Sequence, residues 1–171
     1  MELNLSPGLT KNQVFKKVES YLDKNGFSIV NSDQTRPWGG FFVIDEQQSQ
    51  KFIHFFFADV EDSKKESSGK ISPKILIVEK AKRLSWQYHH RRSELWKVIG
   101  GEVGVIQSEN DEEASIQTKK LNDVITLKQG ERHRLIGLQT WGIVAEIWQH
   151  TQSENPSDEN DIIRVQDDFG R

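Results

Sequence analysis

Hydrophobic positions along the chain change period once, near its middle. Between Thr10 and Gly26 they recur at helical spacing, with Val14, Phe15, Val18, Tyr21 and Leu22 on one face. Thr10 followed by Gln13 predicts a capping box at the helix start, and Asn25-Gly26 a left-handed cap at its end. The apolar stripe of this amphipathic helix predicts packing on the outside of a larger fold. Residues 1–9 show no period and read as irregular. Arg36-Pro37-Trp38-Gly39-Gly40 then leads into the apolar run 41–45, where the fixed proline and two permissive glycines suit a tight turn into a strand. Residues 46–58, with Phe52, Phe55 and Phe56, suit a short helix or a buried strand; the helix is the assignment taken, with His54 packed within it.

Residues 61–69, rich in Lys, Ser, Asp and Glu, predict a mobile surface loop. From Ser72 the text turns to strands, expected over 75–78, 83–89, 94–99, 102–107, 116–119, 124–127, 133–138 and 141–148. Gly100-Gly101 and the acidic stretch 108–113 supply turns, and 162–165 rejoins as an edge strand or a covering segment. Short strands with turns at roughly eight- to twelve-residue spacing predict a sandwich or small barrel. The expected fold is therefore all-β, carrying an N-terminal amphipathic helix and a second short helix. Its expected division is a helical extension over 1–35 and a barrel domain with a C-terminal covering tail over 36–171.

Composition narrows the function classes. The 171 residues fit one domain with a real core, and 35% hydrophobic with 29% charged residues is ordinary for a soluble protein. A formal net charge of −3 gives no electrostatic case for nucleic acid. The chain has no cysteine, which excludes disulfides and thiolate metal sites. No apolar run approaches the ~20 residues of a membrane span, and the N-terminus lacks a signal-peptide core, so a cytoplasmic location without a membrane partner is expected.

The candidate chemistry lies in Arg83-Leu84-Ser85-Trp86-Gln87-Tyr88-His89-His90-Arg91-Arg92-Ser93-Glu94-Leu95-Trp96. On an extended backbone Gln87 and His89 project to one face, and Glu94 returns from the next strand after a short polar turn. A fourth donor, His133, follows a turn permitted by Gly130. An amide oxygen, two imidazoles and a carboxylate suit a borderline divalent ion, and these four donors predict a metal site. The alternative for His89 and His90 alone is a solvated turn.

Donor-x-donor, four residues, Glu, then Gly101 and a later Gly-x-x-His resembles the two-part pattern of metal-binding cupins, with Gln87 at the usual first histidine. More closely, the chain resembles the cupin of type II mannose-6-phosphate isomerases. The matching pieces are Arg36-Pro37-Trp38-Gly39, Leu84 to His90, Arg92-Ser93-Glu94-Leu95-Trp96, Gly130-Glu131-Arg132-His133-Arg134-Leu135 and the closing Asp161 to Arg171. The resemblance implies a double-stranded β-helix (jelly-roll) barrel, one metal ion at Gln87, His89, Glu94 and His133, and isomerisation of a phosphorylated sugar for polysaccharide precursors. The chain departs from the pattern at Lys80-Ala81, where Pro-Gly is usual, and at Lys128, Arg91 and Leu95; an insertion covers about 58–69. The guanylyltransferase half often fused to this cupin is not among these residues, and its activity is not implied. A divergent stand-alone relative acting on mannose 6-phosphate or a heptose phosphate is the expectation.

Aldose–ketose isomerisation moves a proton between C1 and C2, so a base is needed beside the ion. Glu146 sits inside an apolar strand with the parity of Val144 and Trp148, facing the interior, where burial would raise its pKa; pairing with a buried cation is the alternative. His90, of opposite parity to His89, can orient a neighbouring group or lie on the turn. Lys74, Arg92 and Arg164 are the candidates to bind phosphate, or else form surface ion pairs, and the planar fork of Arg164 suits phosphate oxygens. Trp86, Trp96 and Trp148 read as core and rim packing. Zinc is the first choice of ion, with nickel, manganese, cobalt or iron compatible. A homodimer is expected by analogy with cupins. Two other functions fit the same residues: a metal cupin that binds a sugar or sugar phosphate without turnover, and a different metal-cupin enzyme such as an oxygenase.

Overall fold

The computed structural model describes residues 3, 5, 6, 8–60 and 69–170. Part of the irregular stretch 1–9 and nearly all of the expected loop 61–69 thus lie outside the described residues.

The first helix, α1 (Lys11–Lys24), begins with the expected capping box: Thr10 N–H donates to Gln13 Oε1 at 2.9 Å, and Gln13 N–H to Thr10 Oγ1 at 3.4 Å. It ends in a Schellman turn, with Gly26 at φ 72° and Phe27 N–H reaching Leu22 O at 3.0 Å. A short 3-10 turn (Glu46–Gln48) leads into α2 (Ser49–Phe56). Within α2, His54 is exposed rather than packed, because Phe52 and Phe56 take the buried face.

Eleven strands are described: β1 (Ile29–Asp33), β2 (Gly39–Ile44), β3 (Ile71–Val78), β4 (Trp86–Tyr88), β5 (Arg92–Gly100), β6 (Val103–Ser108), β7 (Gln117–Lys119), β8 (Val124–Leu127), β9 (Arg132–Gly137), β10 (Gly142–His150) and β11 (Ile163–Gln166). They form a six-stranded sheet in the order β1-β2-β3-β10-β5-β8 and a five-stranded sheet in the order β11-β4-β9-β6-β7, all paired antiparallel. β1 was not expected: its middle residues are all exposed, so it carries no alternating pattern to read. The expected strand over 83–89 shrinks to β4, with Arg83 joined to the sheet by an isolated bridge to Ile136.

The period of two sorts the side chains into two cores. Leu76, Val78, Trp96, Val98 and Val144 of the larger sheet meet Val103, Val105 and Leu135 of the smaller one between the sheets. Their neighbours of opposite parity, including Ile75, Ile77, Leu95, Ala145 and Ile147, pack outward against Val14, Phe15, Val18 and Leu22 of α1 and Phe52 and Phe56 of α2. The helices therefore cover the outer face of the larger sheet, and the barrel opens between the two sheets. Gly39 and Gly40 (φ 141° and 157°) make β2 possible, since a Cβ would meet Ile77 O at 1.9 Å or Asp33 O at 2.2 Å.

Candidate metal centre

β4 leaves the smaller sheet and, after the turn at His89, His90 and Arg91, re-enters the larger sheet as β5. That crossing places His89 and Glu94 on facing walls of the barrel, and β9 brings His133 opposite Gln87 in the β4–β9 ladder. His89, Glu94 and His133 are all buried, and one ligand atom from each lies within 4.8 Å of the others. Gly130, at φ 79°, makes the turn before β9, and its N–H donates to His89 O at 2.9 Å.

The tautomers follow from the partners. His89 Nδ1 faces the Asp161 carbonyl at 3.0 Å, and His133 Nδ1 faces the Glu131 carbonyl at 3.0 Å. A carbonyl only accepts, so both Nδ1 atoms carry hydrogen and both Nε2 lone pairs point inward. Those two Nε2 atoms are 3.2 Å apart, and His89 Nε2 is 3.2 Å from Glu94 Oε1. Two lone pairs and a carboxylate converging without a hydrogen between the imidazoles fit a cation. In this structure Arg92 supplies one: its Nε donates to Glu94 Oε1 at 2.7 Å and its Nη2 to His89 Nε2 at 3.0 Å. Burial pushes His133 down to about 4, against the pull of Glu94, so it is a neutral, ligand-ready imidazole at pH 7. Burial would raise Glu94, but the Arg92 guanidinium outweighs it and holds the carboxyl well below its usual range.

Beside the cluster is a cleft enclosing about 510 Å³, its open mouth included, lined by Gln87, Glu94, Glu146, Lys74, Arg92, Arg164, Arg36, Trp148 and Glu159 among others. Of the sequence-predicted residues, the structure thus brings Gln87, Glu94, Glu146, Lys74, Arg92 and Arg164 to one cavity. Gln87 Oε1 accepts from Ser85 Oγ at 2.6 Å, and Arg164 pairs with Gln87 across the β11–β4 ladder. His90 is not brought there. Having the opposite parity to His89, it is exposed, its ring lies edge-on to Tyr88 at 5.2 Å, and its backbone N–H donates to Asp161 Oδ1 at 3.1 Å.

Glu146 faces the interior, and Trp96 Nε1 lies 3.0 Å from both Glu94 Oε2 and Glu146 Oε1. Burial first, then the adjacent Glu94, push Glu146 well above the carboxylate range against Lys74 and Arg92. Trp96, Trp148, Asp161 and Glu159 were missed as parts of the site. Trp96 and Trp148 were read only as packing, although they share the parity of Glu94 and Glu146. Asp161, which holds His89, gave no signal beyond its place in the closing motif.

The family model described as mannose-6-phosphate isomerase C-terminal matches residues 58–167. The chain belongs to that family. No curated protein matches it by sequence. Among solved structures, a mutant of Bacillus subtilis oxalate decarboxylase is similar at TM-score 0.56 and 10% identity, over 78% of this chain and 30% of that one. KdgF from Halomonas sp. is similar at TM-score 0.50 and 8% identity, over 72% of this chain and 90% of that one. The chain spans under half the length of the first structures it matches. Likeness at these identities establishes the cupin fold alone. No helix among the described residues is long and apolar enough to cross a membrane.

Proposed function

We propose that this chain is a metal-dependent sugar-phosphate isomerase interconverting an aldose phosphate and its ketose, such as mannose 6-phosphate or a heptose phosphate, in carbohydrate precursor metabolism. One observation carries the reading: a cation-ready donor set shares an indole N–H with a second buried carboxyl, Glu146, in a cavity that also holds Lys74, Arg36, Arg92 and Arg164. The proposed ligands are His89, Glu94 and His133 with Gln87 beside them, and zinc is the ion the mixed nitrogen–oxygen set favours, ahead of nickel, manganese, cobalt or iron.

When bound, such an ion polarises a sugar carbonyl and stabilises the oxyanion that develops beside it. The remaining work belongs to the chain. Glu146 takes the proton from C2 of the aldose and returns it to C1, while a second proton passes from O2 to O1, so nothing else is consumed. Burial and then Glu94's charge raise Glu146, and a cation that neutralised Glu94 would lower it toward the range of a general base. Lys74, Arg92 and Arg164 hold the phosphate. Metal-reconstituted protein interconverting mannose 6-phosphate and fructose 6-phosphate, or a seven-carbon pair, and losing that activity on chelation, tests the reading. Folded, metal-loaded protein inactive on every aldose–ketose phosphate pair contradicts it and favours a sugar-phosphate binding module.

A further inference from the structure

Lys74 is enclosed to an unusual degree for a lysine. Its side chain is 8% exposed, its Nζ lies 3.4 Å from the centroid of the Trp148 ring and 5.1 Å from that of Phe41, and its one hydrogen-bond partner among the described residues is Glu159 Oε1 at 2.8 Å. Glu159 differs in kind: its side chain is 52% exposed, and it sits on the three-residue 3-10 turn Glu159–Asp161, whose other contacts belong to Asp158, Asn160 and Asp161. The turn would therefore keep its anchors if Glu159 let go. Trp148, itself buried, lines the same cavity and carries an indole N–H with no partner among the described residues. A buried donor left unsatisfied is costly, and a ligand oxygen would satisfy it.

We propose that Lys74 and Trp148 form the seat of a phosphate monoester, and that Glu159 is an internal anion holding the seat until the ligand's phosphate displaces it. The proposal rests on the sugar-phosphate reading above for its ligand class. Lys74 and Trp148 line one cavity, the ammonium lies over the indole ring, and a carboxylate already occupies the ammonium's place for phosphate oxygens. The charges agree: burial would raise Glu159, but Lys74, then Arg92 and Arg36, hold its carboxyl below the usual range, so an anion at this point sits in a field of three cations. A phosphate there offers more acceptor oxygens than the carboxylate it replaces, enough for both the ammonium and the indole N–H.

The test is calorimetric titration of inorganic phosphate into the full chain, metal-loaded and chelated, with no turnover in the readout. Glu159→Gln removes the competing charge at a half-exposed position and keeps the fold. Its Kd for phosphate falls by roughly threefold to fivefold, the range an ion pair with one exposed partner supports. Lys74→Met weakens binding by about tenfold or more, and Trp148→Phe, which keeps the ring and loses the N–H, weakens it by about threefold. Equal affinity in wild type and Glu159→Gln, or no phosphate binding by either, overturns the proposal. Tighter phosphate binding by Glu159→Gln in a protein that isomerises no sugar keeps the seat and removes only the isomerase reading. Isomerase activity without the Glu159→Gln effect does the reverse.

Discussion

His89 and His133 turn unprotonated Nε2 atoms toward each other across 3.2 Å, each ring fixed by an Nδ1–H bond to a backbone carbonyl. Such an arrangement is unfavourable on its own and becomes favourable when a cation sits between the nitrogens and Glu94. His133→Ala therefore loses divalent metal affinity by more than about 100-fold, beyond the 10- to 100-fold that loss of an outer-shell partner brings. Metal content by mass spectrometry and titration with zinc check this. Unchanged stoichiometry would remove His133 from the site.

Arg92 gives the second prediction. With 1% side-chain exposure, it neutralises Glu94 and donates to His89, Ser157 Oγ and the Asp158 carbonyl. Arg92→Met leaves Glu94 buried without its cation and lowers the stability of the chelated protein by about 3–5 kcal/mol. Added zinc restores much of that loss, because an ion bound to the folded state supplies the missing charge. Urea unfolding with and without metal reads both halves, and a loss that metal leaves untouched would show that Arg92 acts only through packing.

The barrel was legible because its strands alternate. Val144, Glu146 and Trp148 share one parity, and the inward reading of Glu146 needed only that count. The amphipathic stripe of α1 and its caps were legible for the same local reason. β1 was not, since a strand exposed on both faces has no pattern, and neither was the role of Asp161, whose carboxylate binds the backbone N–H groups of His90 and Arg91 from 70 or more residues away. Glu159 was likewise invisible: its meaning lies in Lys74, which it touches from 85 residues away in the chain.

His150 contributes a pH dependence outside the metal cluster. Its Nδ1 accepts from Ser157 N–H at 2.9 Å, so Nε2 carries the hydrogen toward Ser72 Oγ at 2.9 Å, and burial first, then Lys70 and Arg92, push its pKa down to about 4. The unfolded chain, with a histidine near 6.5, binds a proton that the folded one refuses between pH 6.5 and 4. Stability is thus fully present above pH 6.5 and declines as pH falls toward 4. His150→Gln flattens that decline in pH-dependent thermal melts, and an unchanged slope would assign acid sensitivity to other groups.

Ala81 sits at φ 58° in the turn between β3 and β4, where a Cβ is strained. Ala81→Gly relieves that strain at some cost in unfolded-state freedom and raises stability by about 0.5–1 kcal/mol, or a few degrees in Tm. A lower Tm would mean that the Ala81 methyl contributes more by packing than the backbone loses by strain.

The most direct measurement of the central claim is proton exchange in D₂O, followed by NMR, with metal-loaded wild type and Glu146→Gln on a panel of aldose and ketose phosphates. Wild type should exchange the C2 proton of one aldose phosphate, or a C1 proton of its ketose, and stop on chelation. Glu146→Gln should keep its metal and slow that exchange by about 100-fold or more, as loss of a general base does. Exchange at the wild-type rate in Glu146→Gln, or none on any sugar by the intact metal-loaded chain, would contradict the account.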